Sequence, residues 1–112
     1  MLVQQLKSKI HRAMITRGDI QYEGSIEIPQ DLLDAAGIWP NEKVLVASVT
    51  SGNRLETYAL SGPPGTGNII MNGGAAHLIK TGERVTIMTF ALSDTPIEPK
   101  KIMCNERNEI IS

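Results

Sequence analysis

Glycine and proline divide this chain into short segments, and this division constrains the fold more than any other feature. The 112 residues include 10 glycines and 6 prolines, many of them in turn-like stretches such as residues 51–53 and 61–67. The intervening segments favour strands. They are residues 3–16, 20–28, 44–49, 54–60, 68–71 and 84–92. Short strands separated by frequent turns predict a mainly β protein, a small closed barrel.

One or two short helices complete the predicted secondary structure. Residues 29–36 form the clearest helix, because Pro29 suits the first helical position and Asp31 suits the first turn. Gly37 then suits a left-handed stop. Residues 72–77 are predicted to turn and to lead into a second helical turn.

Two further segments carry predictions of their own. Residues 17–19 are predicted to form a turn around a glycine. Residues 101–112 are half charged or polar, and they follow a proline-containing stretch, so they are predicted to be mobile.

Length and composition predict one domain over residues 1–112 with an aliphatic core. A chain of 112 residues has no room for a second core. Aromatic residues make up only 4% of the sequence. Isoleucine, valine, leucine, alanine and methionine must therefore fill the interior.

Charge and cysteine content exclude several classes of partner. Eleven basic and twelve acidic residues give a net charge of −1. The protein is therefore not expected to bind nucleic acid or an anionic membrane. The apolar runs are far below the ~18 residues needed to span a bilayer, and no secretory signal is evident. Cys104, His11 and His77 show no metal-ligand spacing, and no catalytic role is assigned to either histidine. A cytoplasmic protein without a bound metal is predicted.

Gly24 and Ser25 interrupt a β-prone stretch and admit two interpretations. The structural one is a bulge or tight turn. The chemical one is attack of the Ser25 hydroxyl on the Gly24 carbonyl through a five-membered ring, which moves the acyl group from nitrogen to oxygen. Gly24 has no Cβ and permits the unusual backbone angles that such an attack needs. Elimination from the ester would leave dehydroalanine, which hydrolyses to a pyruvoyl group.

Arg54, Thr57 and Tyr58 lie on one predicted strand and could share a site. Arg54 could clamp a carboxylate, and the Tyr58 phenol, with a reference pKa near ~10, could donate a proton. A solvated strand end and ordinary packing are the structural alternatives. Strand alternation places Thr57 on the opposite face from the other two, whose Cα atoms would be ~13 Å apart. One shared site therefore requires a bulge or a contribution from a second subunit.

A glycine-rich turn and one lysine are further candidates for binding an anion. The backbone amides of Asn72, Gly73, Gly74 and Ala75 are little obstructed and could bind a carboxylate or an oxyanion. A plain Asn-Gly turn is the alternative, and no Gly-Lys-Ser/Thr sequence follows to make a phosphate loop. Lys9 could attract a carboxylate, although a solvated surface lysine is the ordinary alternative.

Five blocks of sequence, in this order, resemble the pyruvoyl-dependent aspartate 1-decarboxylases. They are Lys9-Ile10-His11-Arg12, Tyr22-Glu23-Gly24-Ser25, residues 31–38, residues 54–59 and residues 72–77. The resemblance extends to about Phe90. Gly74 departs from the alanine usual in the family, and Ala47 departs from a tryptophan found in some members. Neither change removes a group that carries chemistry.

The resemblance implies a double-psi β-barrel, a homotetramer and a precursor that cuts itself between Gly24 and Ser25. The products would be a β chain of residues 1–24 and an α chain of residues 25–112. Ser25 would become a covalent pyruvoyl cofactor, which acts as an electron sink. The implied reaction converts L-aspartate to β-alanine and carbon dioxide for pantothenate and coenzyme A synthesis.

The resemblance also implies a role for each candidate residue. Ser25 and Tyr58 are the catalytic residues, with Tyr58 as the proton donor. Gly24 and Ser25 form the cleaved bond, and Thr57 stabilises the cleavage intermediate. The positions that match substrate binding are Lys9, Arg54, Thr57, Asn72, Gly73, Gly74 and Ala75.

Two other hypotheses compete with this assignment. Residues 26–33, 37–38 and 42–44 resemble the swapped-hairpin segment of transition-state regulators, which are DNA-binding dimers. Such dimers need a basic face, whereas Lys43 is the only basic residue between positions 25 and 44. A non-catalytic barrel within a larger assembly is the other hypothesis, and it requires the chain to stay uncut.

Overall fold

The computed structural model describes residues 1–112 and contains eight strands and two short helices. The strands are β1 (Val3–Met14), β2 (Arg17–Asp19), β3 (Ser25–Pro29), β4 (Lys43–Ser48), β5 (Arg54–Gly62), β6 (Ile70–Asn72), β7 (Arg84–Ser93) and β8 (Lys100–Met103). The helices are α1 (Gln30–Ala36) and α2 (Ala75–Leu78). The predicted mainly β class with two short helices is confirmed. Neither helix is long and apolar enough to cross a membrane.

All eight strands belong to one mixed sheet that curls strongly. The strand order is β2-β6-β3-β5-β4-β7-β1-β8. Only Ile15 and Thr16 separate β1 from β2 along the chain, yet these strands lie near opposite ends of that order. The three Cα steps from Met14 to Arg17 span at most ~11 Å, so the two ends of the sheet must approach each other. This curl agrees with the predicted barrel, whose closure remains a prediction.

The core is aliphatic, as the composition predicts. Its 19 buried residues are isoleucine, leucine, valine, alanine and methionine with the single Cys104. Three of the four aromatic side chains, those of Tyr22, Trp39 and Phe90, are exposed. Packing of branched aliphatic side chains therefore supplies the apolar burial that stabilises the fold.

Helix α1 begins one residue later than the sequence predicts. Pro29 ends β3 and caps the helix with an extended ψ of 140° rather than occupying the first helical position. Gly37 adopts φ 72° and ψ 32°, which confirms the predicted left-handed stop. The helix buries Leu32 and Leu33 against the sheet.

The prediction of a turn at residues 17–19 is wrong. These residues form β2, which pairs in parallel with β6 through Arg17 and Ile70, Gly18 and Met71, and Asp19 and Asn72. The local sequence favours a turn, and pairing with a strand about 50 residues away decides otherwise.

The prediction of a mobile tail is also wrong. Strand β8 pairs in parallel with β1 over Ser8–His11, and a bridge joins Cys104 to Ile110. The buried Asn108 accepts a hydrogen bond from Met14 N (2.7 Å) and donates to Met14 O (2.9 Å) and Gly67 O (2.8 Å). One polar side chain therefore fixes the tail to β1 and to the loop before β6.

Candidate active site at the Gly24–Ser25 peptide

Ser25 begins β3 and its side chain is fully buried. Its hydroxyl donates a hydrogen bond to the backbone carbonyl of Glu23 (3.1 Å) and accepts one from Asn72 Nδ2 (3.1 Å). Asn72 is opposite Ser25 in the antiparallel pairing of β3 with β6. The hydroxyl is thus fixed by two partners and shielded from water, and its proton is directed to the Glu23 carbonyl rather than to the Gly24 carbonyl that it is predicted to attack.

Gly24 is exposed, and the space that a side chain at this position would occupy is open. A Cβ added to it would meet nothing within 4 Å, and its φ is not positive. The neighbouring Gly73 carries the unusual conformation instead, with φ +71°. A Cβ on Gly73 would come within 2.7 Å of Gly24 N and Cα. The left-handed conformation and the close packing therefore require glycine at position 73 and not at position 24. Without a side chain, Gly73 can pack against the Gly24–Ser25 peptide.

Tyr58 lies beside the segment that contains this peptide. Strands β3 and β5 pair in parallel, with Ile26 opposite Ala59. Extending that register by one residue places Tyr58 level with Ser25, and by two it places Thr57 level with Gly24. The Tyr58 hydroxyl donates to Glu23 Oε1 at 3.1 Å. This hydrogen bond, with smaller contributions from desolvation and nearby charge, raises the pKa of Tyr58.

Glu23 is the residue of this cluster that the sequence does not single out for a role. Its carboxylate accepts from Tyr58 and its backbone carbonyl accepts from Ser25. An acidic residue two positions before a serine carries no signal by itself, because the contact depends on the pairing of β3 with β5.

Arg54 lies away from this cluster within one chain, and Lys9 has no contact with it. Arg54 is exposed at the start of β5, about 13 Å along the strand from Tyr58. The register of β5 against β4 is regular from Lys43–Tyr58 to Ala47–Arg54, so no bulge shortens this distance. Lys9 lies on β1, three strands beyond β5 in the sheet. It lines a cavity of about 180 Å³ with His11, Lys101 and others.

The last residue of β6 contacts the cluster, and the turn that follows lies beside it. The Asn72 side chain donates to Ser25. The Gly73 amide donates to Asp19 O at 2.7 Å, so in this structure it is not available to bind a carboxylate. Gly74 is exposed and Ala75 begins α2. Substrate binding by these residues stays a prediction.

The two histidines differ in their surroundings. Burial, with smaller contributions from Lys9 and Arg12, lowers the pKa of His11, and its Nδ1 is buried without a hydrogen-bond partner. His77 is exposed in the last turn of α2. No group of three or more His, Cys, Asp or Glu side chains could hold a metal ion.

Comparison with known proteins identifies relatives over the whole chain. The family model described as "Aspartate decarboxylase" matches residues 1–111. The protein named aspartate 1-decarboxylase from Thermotoga sp. (strain RQ2) is 48% identical, covering 99% of this chain and 97% of the relative. Its namesake from Carboxydothermus hydrogenoformans is 44% identical, covering 99% and 91%. That from Neisseria meningitidis serogroup C is 48% identical, covering 94% and 86%. The chain belongs to the aspartate decarboxylase family.

Proposed function

We propose that this protein decarboxylates L-aspartate to β-alanine and carbon dioxide, using a pyruvoyl group that it makes from its own Ser25. Family membership over residues 1–111 supports the decarboxylation. The resemblance of five sequence blocks supports the cleavage between Gly24 and Ser25. We place the reaction in the cytoplasm, where β-alanine supplies pantothenate and coenzyme A synthesis.

The proposed cleavage balances with one water molecule taken up and one ammonia molecule released. The Ser25 Oγ attacks the Gly24 carbonyl carbon, and the bond from that carbon to the Ser25 nitrogen breaks as the ester forms. Elimination removes the Ser25 Cα proton to a base or to water and breaks the Cβ–Oγ bond, so a Cα–Cβ double bond forms and Oγ leaves in the new carboxylate of Gly24. The remaining dehydroalanine takes up water and releases ammonia, which leaves a ketone on the α chain.

The observation that carries the proposal is the contact between Asn72 and Ser25 across β6 and β3, with β5 carrying Tyr58 alongside. Asn72 contacts Ser25 directly, and Tyr58 is level with Ser25 through the extended register. The buried Ser25 hydroxyl with the Asn72 amide beside it suits formation of the pyruvoyl group. The Tyr58 phenol on the adjacent strand suits the use of that group in decarboxylation. The residues present therefore fit the pyruvoyl group.

Each polar residue has a distinct proposed task in turnover. The pyruvoyl group, once present, supplies an electron sink for loss of the α-carboxylate. Tyr58 delivers a proton to the substrate Cα, and Arg54 holds the substrate's other carboxylate, which stays ionised. Lys9 adds positive charge and Thr57 stabilises the cleavage intermediate. Holding one carboxylate at Arg54 leaves only the other beside the sink, so orientation selects which one is lost.

We further propose a homotetramer with sites between subunits. Arg54 has no acidic side chain within ion-pair distance, and Lys9 is three strands from β5. Because β5 has no bulge, one chain alone does not bring Arg54 to Ser25. A neighbouring subunit that supplies Lys9 or Arg54 would complete the site.

The DNA-binding alternative has no basic face to support it. Lys43, the only basic residue between positions 25 and 44, forms an ion pair with Glu56 at 3.1 Å. Exposed phosphates would have to compete with that carboxylate. No separate observation favours this function.

Intact mass under denaturing conditions tests the proposal together with an assay for β-alanine. The wild-type protein should yield two fragments, of 24 and 88 residues, and the larger should lack a free α-amino group. Ser25→Ala should stay whole and form no β-alanine. The matched control is Ser61→Ala, because Ser61 is exposed on β5, and this variant should cleave and turn over normally. A fully active Ser25→Ala variant would refute the mechanism.

A further inference from the structure

We propose that Glu23 is a positioning residue that holds the Tyr58 hydroxyl while the chain is whole, and that cleavage after Gly24 releases it. The inference rests on the proposed function and adds a switch at the same site. It starts from the hydrogen bond that Tyr58 Oη donates to Glu23 Oε1 at 3.1 Å. A phenol has one proton to donate, so this contact occupies the group assigned to protonate the substrate.

Few contacts hold Glu23 in place. Residues 20–24 belong to no strand and are all exposed. The Ser25 hydroxyl donates to the Glu23 carbonyl (3.1 Å), Gly24 packs against Gly73, and two backbone amides, Gln21 N and Tyr22 N, donate to Asp19 Oδ1 (3.1 Å) and Asp19 O (3.4 Å). The covalent link to Ser25 is therefore a main restraint on this short segment.

Cleavage removes that link and one of these hydrogen bonds in the same event. Because the Ser25 oxygen departs in the Gly24 carboxylate, the α chain no longer has a hydroxyl to donate to Glu23. The new carboxylate also lies one residue from the Glu23 carboxylate, and the two negative charges repel each other. The segment thus loses restraints and gains charge, which favours its departure from Tyr58.

Release restores the phenol to the reaction. In the whole chain the Glu23 carboxylate raises the pKa of Tyr58, because it stabilises the protonated form. After departure of Glu23, Tyr58 remains level with position 25 through the register of β5 with β3. Its proton is then free to reach the substrate, so full proton-donor function appears only after cleavage.

Titration of Tyr58 in whole and cut protein tests this switch. The chain has two tyrosines, Tyr22 and Tyr58, so Tyr22→Phe leaves a single phenol that can be followed by ¹³C NMR at its Cζ. The whole form is provided by adding Thr57→Val, which retains the Ser25 hydroxyl, and independently by adding Ser25→Ala. Each form is compared with and without Glu23→Ala, and intact mass reports whether the chain is cut.

We expect Glu23→Ala to lower the pKa of Tyr58 in the whole chain and to leave it unchanged in the cut protein. The cut protein should also titrate at a lower pH than the whole one. Equal Tyr58 titration in whole and cut protein would overturn the release, and no effect of Glu23→Ala in the whole chain would overturn the contact. If the Tyr22→Phe chain stays uncut, the proposed function is refuted, and so is the release of Tyr58 by cleavage. The comparison of uncut chains with and without Glu23→Ala would still show whether Glu23 holds Tyr58.

Discussion

Gly73 packs directly against Gly24, so that a Cβ at Gly73 would lie 2.7 Å from both the nitrogen and the Cα of Gly24. The same Cβ would lie 3.0 Å from the carbonyl oxygen of Tyr22. The left-handed conformation at Gly73 and this close approach have one cause. The turn after β6 packs directly against the Gly24–Ser25 peptide. The position of the peptide therefore depends on the absence of a side chain at Gly73, in the turn after β6.

Gly73→Ala should destabilise the protein and slow cleavage. A left-handed conformation costs an alanine about 1–2 kcal/mol, and the added methyl must also displace residues 22–24. The matched control is Gly74→Ala, because Gly74 has φ −59° and open space for a Cβ. Thermal unfolding and the time course of intact mass measure the two effects. Normal cleavage in Gly73→Ala would show that the close packing is dispensable.

Tyr58→Phe should leave cleavage intact and slow decarboxylation. The variant keeps the ring and removes only the proton that is proposed to reach the substrate Cα, so turnover should fall by ~10²-fold or more. Tyr22→Phe is the control, since the exposed Tyr22 donates no side-chain hydrogen bond. Single-turnover release of carbon dioxide and intact mass separate the two steps. Loss of cleavage in Tyr58→Phe would reassign this residue to maturation.

Asn108→Ala should loosen the tail and lower the free energy of unfolding. The change removes three hydrogen bonds to Met14 and Gly67, each contributing about 1 kcal/mol. The exposed Asn68 provides the control, because no hydrogen bond from its side chain is present and Asn68→Ala should have little effect. Urea unfolding gives the free energies, and hydrogen exchange of residues 101–112 reports the loosening. Equal stability of the two variants would contradict the assigned role of Asn108.

Cys104 should be unreactive in the native protein. Burial raises the pKa of its thiol to about 11, so almost no thiolate forms near neutral pH. A thiol reagent should modify it only as fast as the surrounding structure opens. The rate should therefore increase in Asn108→Ala, whose tail includes the bridge from Cys104 to Ile110. Rapid modification of the folded wild type would contradict this burial.

Glu83 should make stability depend on acidic pH. Hydrogen bonds to its carboxylate, above all from Ser48 Oγ (2.6 Å) with further ones from Lys80 N and Ser51 Oγ, lower its pKa from 4.5. A depressed native pKa contributes stability above the unfolded pKa, and that contribution is lost as the pH falls through the native pKa. Glu83→Gln should therefore be less stable than wild type at pH 7, and the difference should shrink below pH ~4. Thermal unfolding across this range measures it, and a difference that grew on acidification would refute the assignment.

Much of the fold follows from local sequence, and the exceptions have long-range causes. Gly37 ends α1 through its own conformational freedom, and the apolar run before Val49 forms β4 because it must be buried. By contrast, β2 exists because β6 pairs with it, and the tail is ordered because Asn108 reaches Met14 across 94 residues. Neither partner can be identified from composition or periodicity.

In the candidate site, too, some residues follow from local sequence and others depend on long-range strand pairing. Ser25, Tyr58 and Asn72 are predicted from sequence, and the pairing of β3 with its two neighbours aligns them. The role of Glu23 depends on that alignment, so the local pattern does not reveal it. The place of Lys9 in the sheet, three strands from β5, could not be anticipated either, because it follows from the order of the strands.

Strand β1 lies between β7 and β8, inside the sheet, and it belongs to the segment that precedes Ser25. In a chain cut after Gly24, this central strand would be held by hydrogen bonds and packing alone. Unfolding would then let two separate polypeptides drift apart, and recovery would require them to meet again. Refolding of each cut subunit would therefore become second order and depend on protein concentration, whereas each precursor subunit folds within one chain before any assembly.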